Sequence, residues 1–187
     1  NKLDLLLQKE ALTDRQYQII EATNKAVTRV SRINKNLLLL AKIENHQFED
    51  SEEINLSDLT TQSLVHLHEH IESKALILQS EIDGELSITG NKTLLEILLN
   101  NLILNAIRHN AQKGIIKITL DKSGLTLSNS GNKALDIESL FKRFKKSSDE
   151  SSGSGLGLAI VEQICKRHHW TINYLFKDDF HIFKVSF

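Results

Sequence analysis

Asn101, Asn105 and Arg108 interrupt the otherwise apolar stretch from Leu94 to Asn110. At a helical advance of about 100° per residue, their i, i+4, i+7 spacing places them in one narrow arc. A helix that is apolar on nearly every other side lies inside a fold, and a buried carboxamide without a partner costs about 1–3 kcal/mol. Two carboxamides beside a cation therefore need a polar partner. A triphosphate with its Mg²⁺ satisfies all three: Asn offers a neutral carbonyl oxygen to a hard cation and NH₂ groups to phosphate, and Arg108 supplies fixed positive charge. An Asn pair capping neighbouring loops inside a core is the alternative that these residues alone leave open.

The second run with chemical potential is Gly153-Ser-Gly155-Leu-Gly157-Leu158-Ala-Ile-Val. Glycines at alternate positions let the backbone approach a phosphate, and a helix starting there aims its free N–H groups and positive dipole end at the same place. A hydrophilic segment, Lys145 to Ser154, precedes it and reads as a mobile lid. A dinucleotide-binding fold needs a strand at that point, and a P-loop needs Gly-Lys-Ser/Thr, which is absent. His66 and His70 stand four apart and could share a metal, but with no third ligand at a useful spacing they read as a solvated face.

Several elements must position these groups. Leu3, Leu6 and Leu7 form a short stripe that reads as the end of a helix entered from upstream. Thr13 and Gln16 have the form of a capping box and open a long helix to about Glu44. Along it Tyr17, Ile20, Asn24, Val27, Val30, Ile33, Leu37 and Leu40 recur at threes and fours, a coiled-coil-like seam. Two such helices cannot bury both apolar faces alone, which predicts a four-helix bundle made by dimerisation. A polar, acidic linker follows, then a helix from Leu59 to about Ala75 capped by Ser57. Strands are expected at Leu76 to Ile82 and Leu86 to Thr89 around the Asp83-Gly84 turn signal, and at Gly114 to Leu120 and Leu125 to Leu127 around Asp121 to Gly124. A short helix capped by Asp136 carries Phe141 and Phe144, and two closing strands flank Asp178-Asp179.

Composition bounds the rest. A net charge of −1 gives no reason to expect nucleic acid or an anionic membrane as partner. No run of 18 apolar residues spans a bilayer within this chain. Cys165 is the only cysteine, so no disulfide framework exists, which fits a reducing, cytoplasmic setting.

The order of these features resembles the ATP-binding catalytic domain of sensor histidine kinases, in the wider GHKL ATPase superfamily. It runs from Asn101-x-x-x-Asn105 on a helix through a strand ending in Asn129-Ser-Gly131, Leu-Phe-x-x-Phe and a lid to Gly-x-Gly-Leu-Gly-Leu-Ala-Ile-Val. The helical hairpin ahead of it resembles their dimerisation domain. The resemblance implies an α+β chain: a partial hairpin over 1–46, a linker over 47–55, and a GHKL/Bergerat α/β sandwich with a mixed, mainly antiparallel sheet over 56–187. It implies ATP and Mg²⁺ as ligands, with Asn101 on the metal and Asn105, Arg108 and Lys146 on phosphate oxygens. Gly153, Gly155 and Gly157, followed by Leu158, would wrap the phosphates, and Asn129 and Gly131 would receive adenine. Phe141 and Phe144 would pack the base of the lid. A homodimer and the receiver domain of a response regulator are the implied partners, in a parent protein anchored to a membrane.

Two departures from the family pattern stand out. The adenine element is usually Asp-x-Gly-x-Gly, and here it is Asn129-Ser-Gly131-Asn-Lys133, which keeps an acceptor oxygen but loses the charge and one glycine. The phosphoacceptor His normally stands in a His-Glu-x-x-Thr-Pro context; this chain has no Pro, and none of its eight His residues stands in such a context. The chain is thus expected to bind ATP without phosphorylating itself. A degenerate module that binds nucleotide or a partner without phosphoryl transfer is the other reading these departures allow.

Overall fold

The computed structural model describes residues 12–48, 51–145 and 154–187; the Leu3, Leu6 and Leu7 stripe lies outside them. Helix α1, Asp14–Glu44, begins where the sequence predicts. Thr13 Oγ1 accepts from the Gln16 N–H, and Gln16 Oε1 accepts from the Thr13 N–H at 2.9 Å, closing the capping box. The apolar seam along α1 divides. Ile33, Leu40 and Ile43 pack into the core of the domain that follows, while Tyr17, Val27 and Val30 stay exposed. At about 1.5–3 kcal/mol for each fully buried Leu or Ile, the C-terminal part of α1 is held by the domain itself.

The chain continues through β1 (Glu52–Asn55), α2 (Leu56–His66), α3 (His68–Ser73), β2 (Ile77–Ile82), β3 (Ser87–Gly90) and α4 (Lys92–Arg108). Then come β4 (Ile115–Asp121), β5 (Gly124–Ser130), α5 (Ile137–Leu140), α6 (Gly157–Arg167), β6 (Thr171–Lys177) and β7 (Phe180–Ser186). The main sheet has the order β2-β4-β5-β7-β6, with β2 and β4 parallel and every other pair antiparallel. Helices α4 and α6 pack on it, and α2 packs against α4. This is the mixed, mainly antiparallel sandwich expected. Its centre is α4, whose Leu94, Leu98, Leu102 and Ala106 are buried with Ile116, Leu127 and Phe183 of the sheet.

Turn chemistry fixes two hairpins. Gly124 has φ +139°, and a Cβ there would stand 2.0 Å from the Val185 carbonyl oxygen, so only glycine serves after Asp121. Asp178 and Asp179, both at positive φ, make the two-residue connection whose twist suits β6 and β7.

The strands expected on either side of Asp83-Gly84 are present and join different sheets: β2 runs parallel to β4 in the main sheet, and β3 pairs antiparallel with β1 in a separate two-stranded sheet. The structure corrects the sequence reading in three places. Strand β1 lies within the segment 47–55 read as linker, and its Ile54 is buried. Asn55, rather than Ser57, caps the next helix, accepting from the Asp58 N–H at 3.0 Å. The buried Ser57 instead donates to the Asp83 carbonyl at 2.6 Å and accepts from the Leu86 N–H at 3.1 Å, pinning the β2–β3 turn. That helix also breaks at Leu67, leaving His66 and His70 on different helices.

Candidate functional site

Helix α4 begins at Asn91, whose side chain accepts from the Leu94 N–H at 3.0 Å. It ends under Lys74, whose Nζ donates to the carbonyls of Ile107 and Arg108 at 2.9 and 3.0 Å and so satisfies two acceptors the helix leaves open. Asn101, Asn105 and Arg108 are carried between these two caps. Asn101 Nδ2 donates to the Ile97 carbonyl at 2.8 Å, which leaves Oδ1 as the outward acceptor. Burial, and then the nearby Arg32, lower the pKa of Arg108, a group charged at every relevant pH.

The start of α6 faces this arc. A Cβ on Gly157 would lie 2.8 Å from Asn101 Oδ1, so the two elements meet with that oxygen in the gap. Gly155 has φ +70°, and its missing Cβ would stand 2.8 Å from the Phe144 carbonyl carbon and 2.9 Å from the Lys145 oxygen. The backbone thus turns tightly against Phe144, itself at positive φ with its side chain exposed, before α6 begins. Leu156 is buried and Leu158 packs against the core, fixing the turn from beneath. Asn101 Oδ1 offers an oxygen to a hard cation, and the N-terminal N–H groups of α6 beside it offer donors to a phosphate. Lys146 and Gly153 lie outside the described residues.

Asn129 is buried on β5, between Ile116 of β4 and His181 of β7. Its Nδ2 donates to the Ser130 carbonyl at 3.1 Å and the His109 carbonyl at 3.4 Å. With both amide hydrogens directed at carbonyls, a flipped amide would set oxygen against oxygen, so Oδ1 is held as an acceptor. Gly131 follows, its N–H donating to the Asp179 carbonyl at 2.8 Å. The buried His181 packs against it, with Nδ1 2.9 Å from the Tyr174 hydroxyl, which also accepts from the Leu135 N–H at 3.0 Å. Burial lowers the pKa of His181 and favours the neutral ring.

Sequence reasoning missed two contributors from α1. Asn36 Nδ2 donates to Ser154 Oγ at 3.1 Å, directly before the Gly155 turn, and Arg32 lies near Arg108. Farther along, Glu44 pairs with Arg143, and Arg167 donates to His46 Nδ1 and the Phe48 carbonyl. Nothing in the sequence separates these polar positions from any others on a helical seam. His181, one of several histidines in the tail, carried no signal either.

The structure brings Gly157, just after the Gly155 turn, against Asn101 midway along α4, and Asn129 against the His109 carbonyl at the C-terminal end of that helix. The family model described as "Histidine kinase-, DNA gyrase B-, and HSP90-like ATPase" matches residues 90–182. The chain is 35% identical over 178 residues to the heme sensor protein HssS of Staphylococcus saprophyticus, covering 91% of this chain and 38% of the relative. It is 36% identical over 170 residues to HssS of Staphylococcus epidermidis, covering 87% and 36%. The chain thus spans less than two fifths of the length of these curated relatives. Among solved structures, the catalytic domain of histidine kinase ThkA superposes with a TM-score of 0.65 at 27% identity, covering 73% of this chain and 93% of that one. Histidine kinase AdeS of Acinetobacter baumannii shares the fold with a TM-score of 0.72 at 22% identity, covering 98% and 91%.

Proposed function

We propose that this chain, whose residues 90–182 match the family model of histidine kinase-, DNA gyrase B- and HSP90-like ATPases and which is homologous to HssS sensor proteins, binds Mg-ATP as the catalytic part of a two-component sensor kinase. The observation that carries this reading is the approach of Asn101 Oδ1 to the bare Cα of Gly157, an oxygen donor set into a glycine turn at a helix start. Asn101 holds Mg²⁺, Asn105 and Arg108 take phosphate oxygens, and Gly153, Gly155 and Gly157 wrap the phosphates with Lys146 reaching the terminal one. Asn129 Oδ1 accepts from the adenine amino group beside Gly131, a role its fixed amide supports without charge. Mg²⁺, when bound, neutralises charge on the phosphate oxygens.

The protein's part in phosphoryl transfer is positioning and charge neutralisation. A histidine outside the eight of this chain attacks the γ-phosphorus through an imidazole nitrogen. The bond to the β,γ-bridging oxygen breaks, and ADP leaves with the electron pair. The phosphoryl group then passes to an Asp on a response regulator's receiver domain. Exposed Tyr17, Val27 and Val30 support a homodimer through α1. No helix among the described residues is long and apolar enough to cross a membrane; we place the domain in the cytoplasm, in a parent anchored elsewhere in its sequence.

Calorimetric titration with a non-hydrolysable ATP analogue and Mg²⁺ tests the site. Saturable, Mg²⁺-dependent binding is expected, and Asn105→Ala should abolish it with thermal unfolding unchanged. Undiminished affinity in that variant rejects the site. No binding by the unmodified chain at roughly millimolar nucleotide, a free energy of only about 4 kcal/mol, favours instead a module that binds a partner without phosphoryl transfer.

A further inference from the structure

Asn129 and His181 stand directly opposite each other where β5 pairs with β7. Opposed residues of an antiparallel pair put their side chains on one face of the sheet, with Cβ atoms about 4.5–5.5 Å apart. Here that face is the one on which Leu127 and Phe183 enter the core, and both polar side chains are buried on it. Asn129 is held as an acceptor, because its Nδ2 is given to the carbonyls of Ser130 and His109. The protonation of His181 is set from the other side of its ring. The Tyr174 hydroxyl accepts the Leu135 N–H at 3.0 Å, and its own hydrogen finds an acceptor in His181 Nδ1 at 2.9 Å. A ring that accepts at Nδ1 and stays neutral in its buried setting carries its hydrogen on Nε2. Nε2 and Cδ2 are the ring atoms nearest to the space where a side chain of Gly131 would stand. The missing Cβ thus leaves this N–H edge uncovered.

An acceptor and a donor side by side match one purine edge. Adenine presents an amino donor at C6 next to an acceptor at N1, whereas guanine and hypoxanthine present the reverse, and flipped-out bases are read along this edge. We propose that His181 is a base-binding, specificity-determining residue, donating from Nε2 to N1 of adenine while Asn129 accepts from the C6 amino group. This inference rests on the Mg-ATP reading above. The second contact offsets what a neutral Asn129 lacks beside a carboxylate, whose hydrogen bonds are charge-assisted. Recognition of the base then belongs to the β5–β7 pairing, since slipping that register by one residue would move one partner to the opposite face.

The test is calorimetric titration of the 187-residue chain with ATP, 1-deaza-ATP and 7-deaza-ATP in the presence of Mg²⁺, for the unmodified protein and His181→Ala. 1-deaza-ATP keeps the amino group and replaces N1 by C–H, which leaves the Nε2–H without its acceptor. The unmodified protein should bind it about tenfold more weakly than ATP, the size of one buried hydrogen bond broken from one side. 7-deaza-ATP keeps N1 and should stay within about twofold of ATP. His181→Ala should weaken ATP by at least the same factor and bring ATP and 1-deaza-ATP within about twofold of each other, which lost packing alone would not do. Equal affinities for ATP and 1-deaza-ATP in the unmodified protein overturn the proposal with no variant needed. A loss with 7-deaza-ATP instead, or a preference for N1 that survives in His181→Ala, overturns it as well. Retained nucleotide binding in those cases leaves the Mg-ATP reading standing, whereas an unmodified chain that binds none of the three ligands removes both.

Discussion

His181 occupies the space that a side chain at Gly131 would need: its Nε2 lies 2.2 Å from the position of a Cβ on that glycine. The imidazole is held there by the Tyr174 hydroxyl, so it cannot simply swing aside. Gly131→Ala should therefore destabilise the fold by about 1–3 kcal/mol, as overpacking does. Combined with His181→Ala, which vacates the space, its added cost should largely vanish. A double-mutant cycle by urea denaturation measures the coupling, and additive costs would show that the two residues do not compete for the same volume.

Lys74 ties the end of α4 to the turn before β2 through the carbonyls of Ile107 and Arg108. Lys74→Met keeps the aliphatic stem and removes the charge, and should cost about 1 kcal/mol, the upper range for a cation at an exposed helix C-terminus. It has a second, independent signature. His109 is held below the ordinary histidine range by burial first, then by Arg108, Lys74 and His181. In the variant the His109 resonances should titrate at higher pH; an unmoved titration would place Lys74 too far away to matter.

Stability should fall in mild acid. Burial is the largest influence lowering the pKa values of His109, His168 and His181 from the usual 6.5. Below that value the unfolded chain takes up protons that the folded chain refuses, so the unfolding free energy decreases as pH drops from there toward the lowered folded values, and is flat above. Urea midpoints at about pH 7.5 and pH 5.5, both above the carboxylate range, measure it. Equal midpoints would mean that the three rings accept protons in the fold as readily as in the unfolded chain.

Much of the fold was legible because its signals are local. The capping box of Thr13 and Gln16, the apolar body of α4 and the Gly124 turn each announce themselves within a few residues. Partner choice between strands is a different matter. Strand β1 offers a single buried apolar residue, Ile54, too little for an alternation to register, so the sequence does not mark it as the partner of β3. The site divides in the same way: Asn101 and the glycines of the α6 turn stand in recognisable spacing, whereas Asn36 reaches Ser154 across 118 positions of sequence. His181 depends on β-register with Asn129, a relation fixed only when β5 and β7 pair.

Helix α1 is a lever. Its fulcrum is the buried Leu40 and Ile43, and Asn36 stands two turns from Ile43, about 10 Å at 1.5 Å per residue, while Asp14 stands about 43 Å away. Displacements at the far end are therefore divided by about four before they reach Ser154. A sideways swing of about 2 Å at Asp14 shifts Asn36 by about 0.5 Å, enough to carry a 3.1 Å hydrogen bond out of range. Whatever grips the exposed Tyr17 and Ile19 thus holds the long arm of a beam whose short arm rests on the glycine turn.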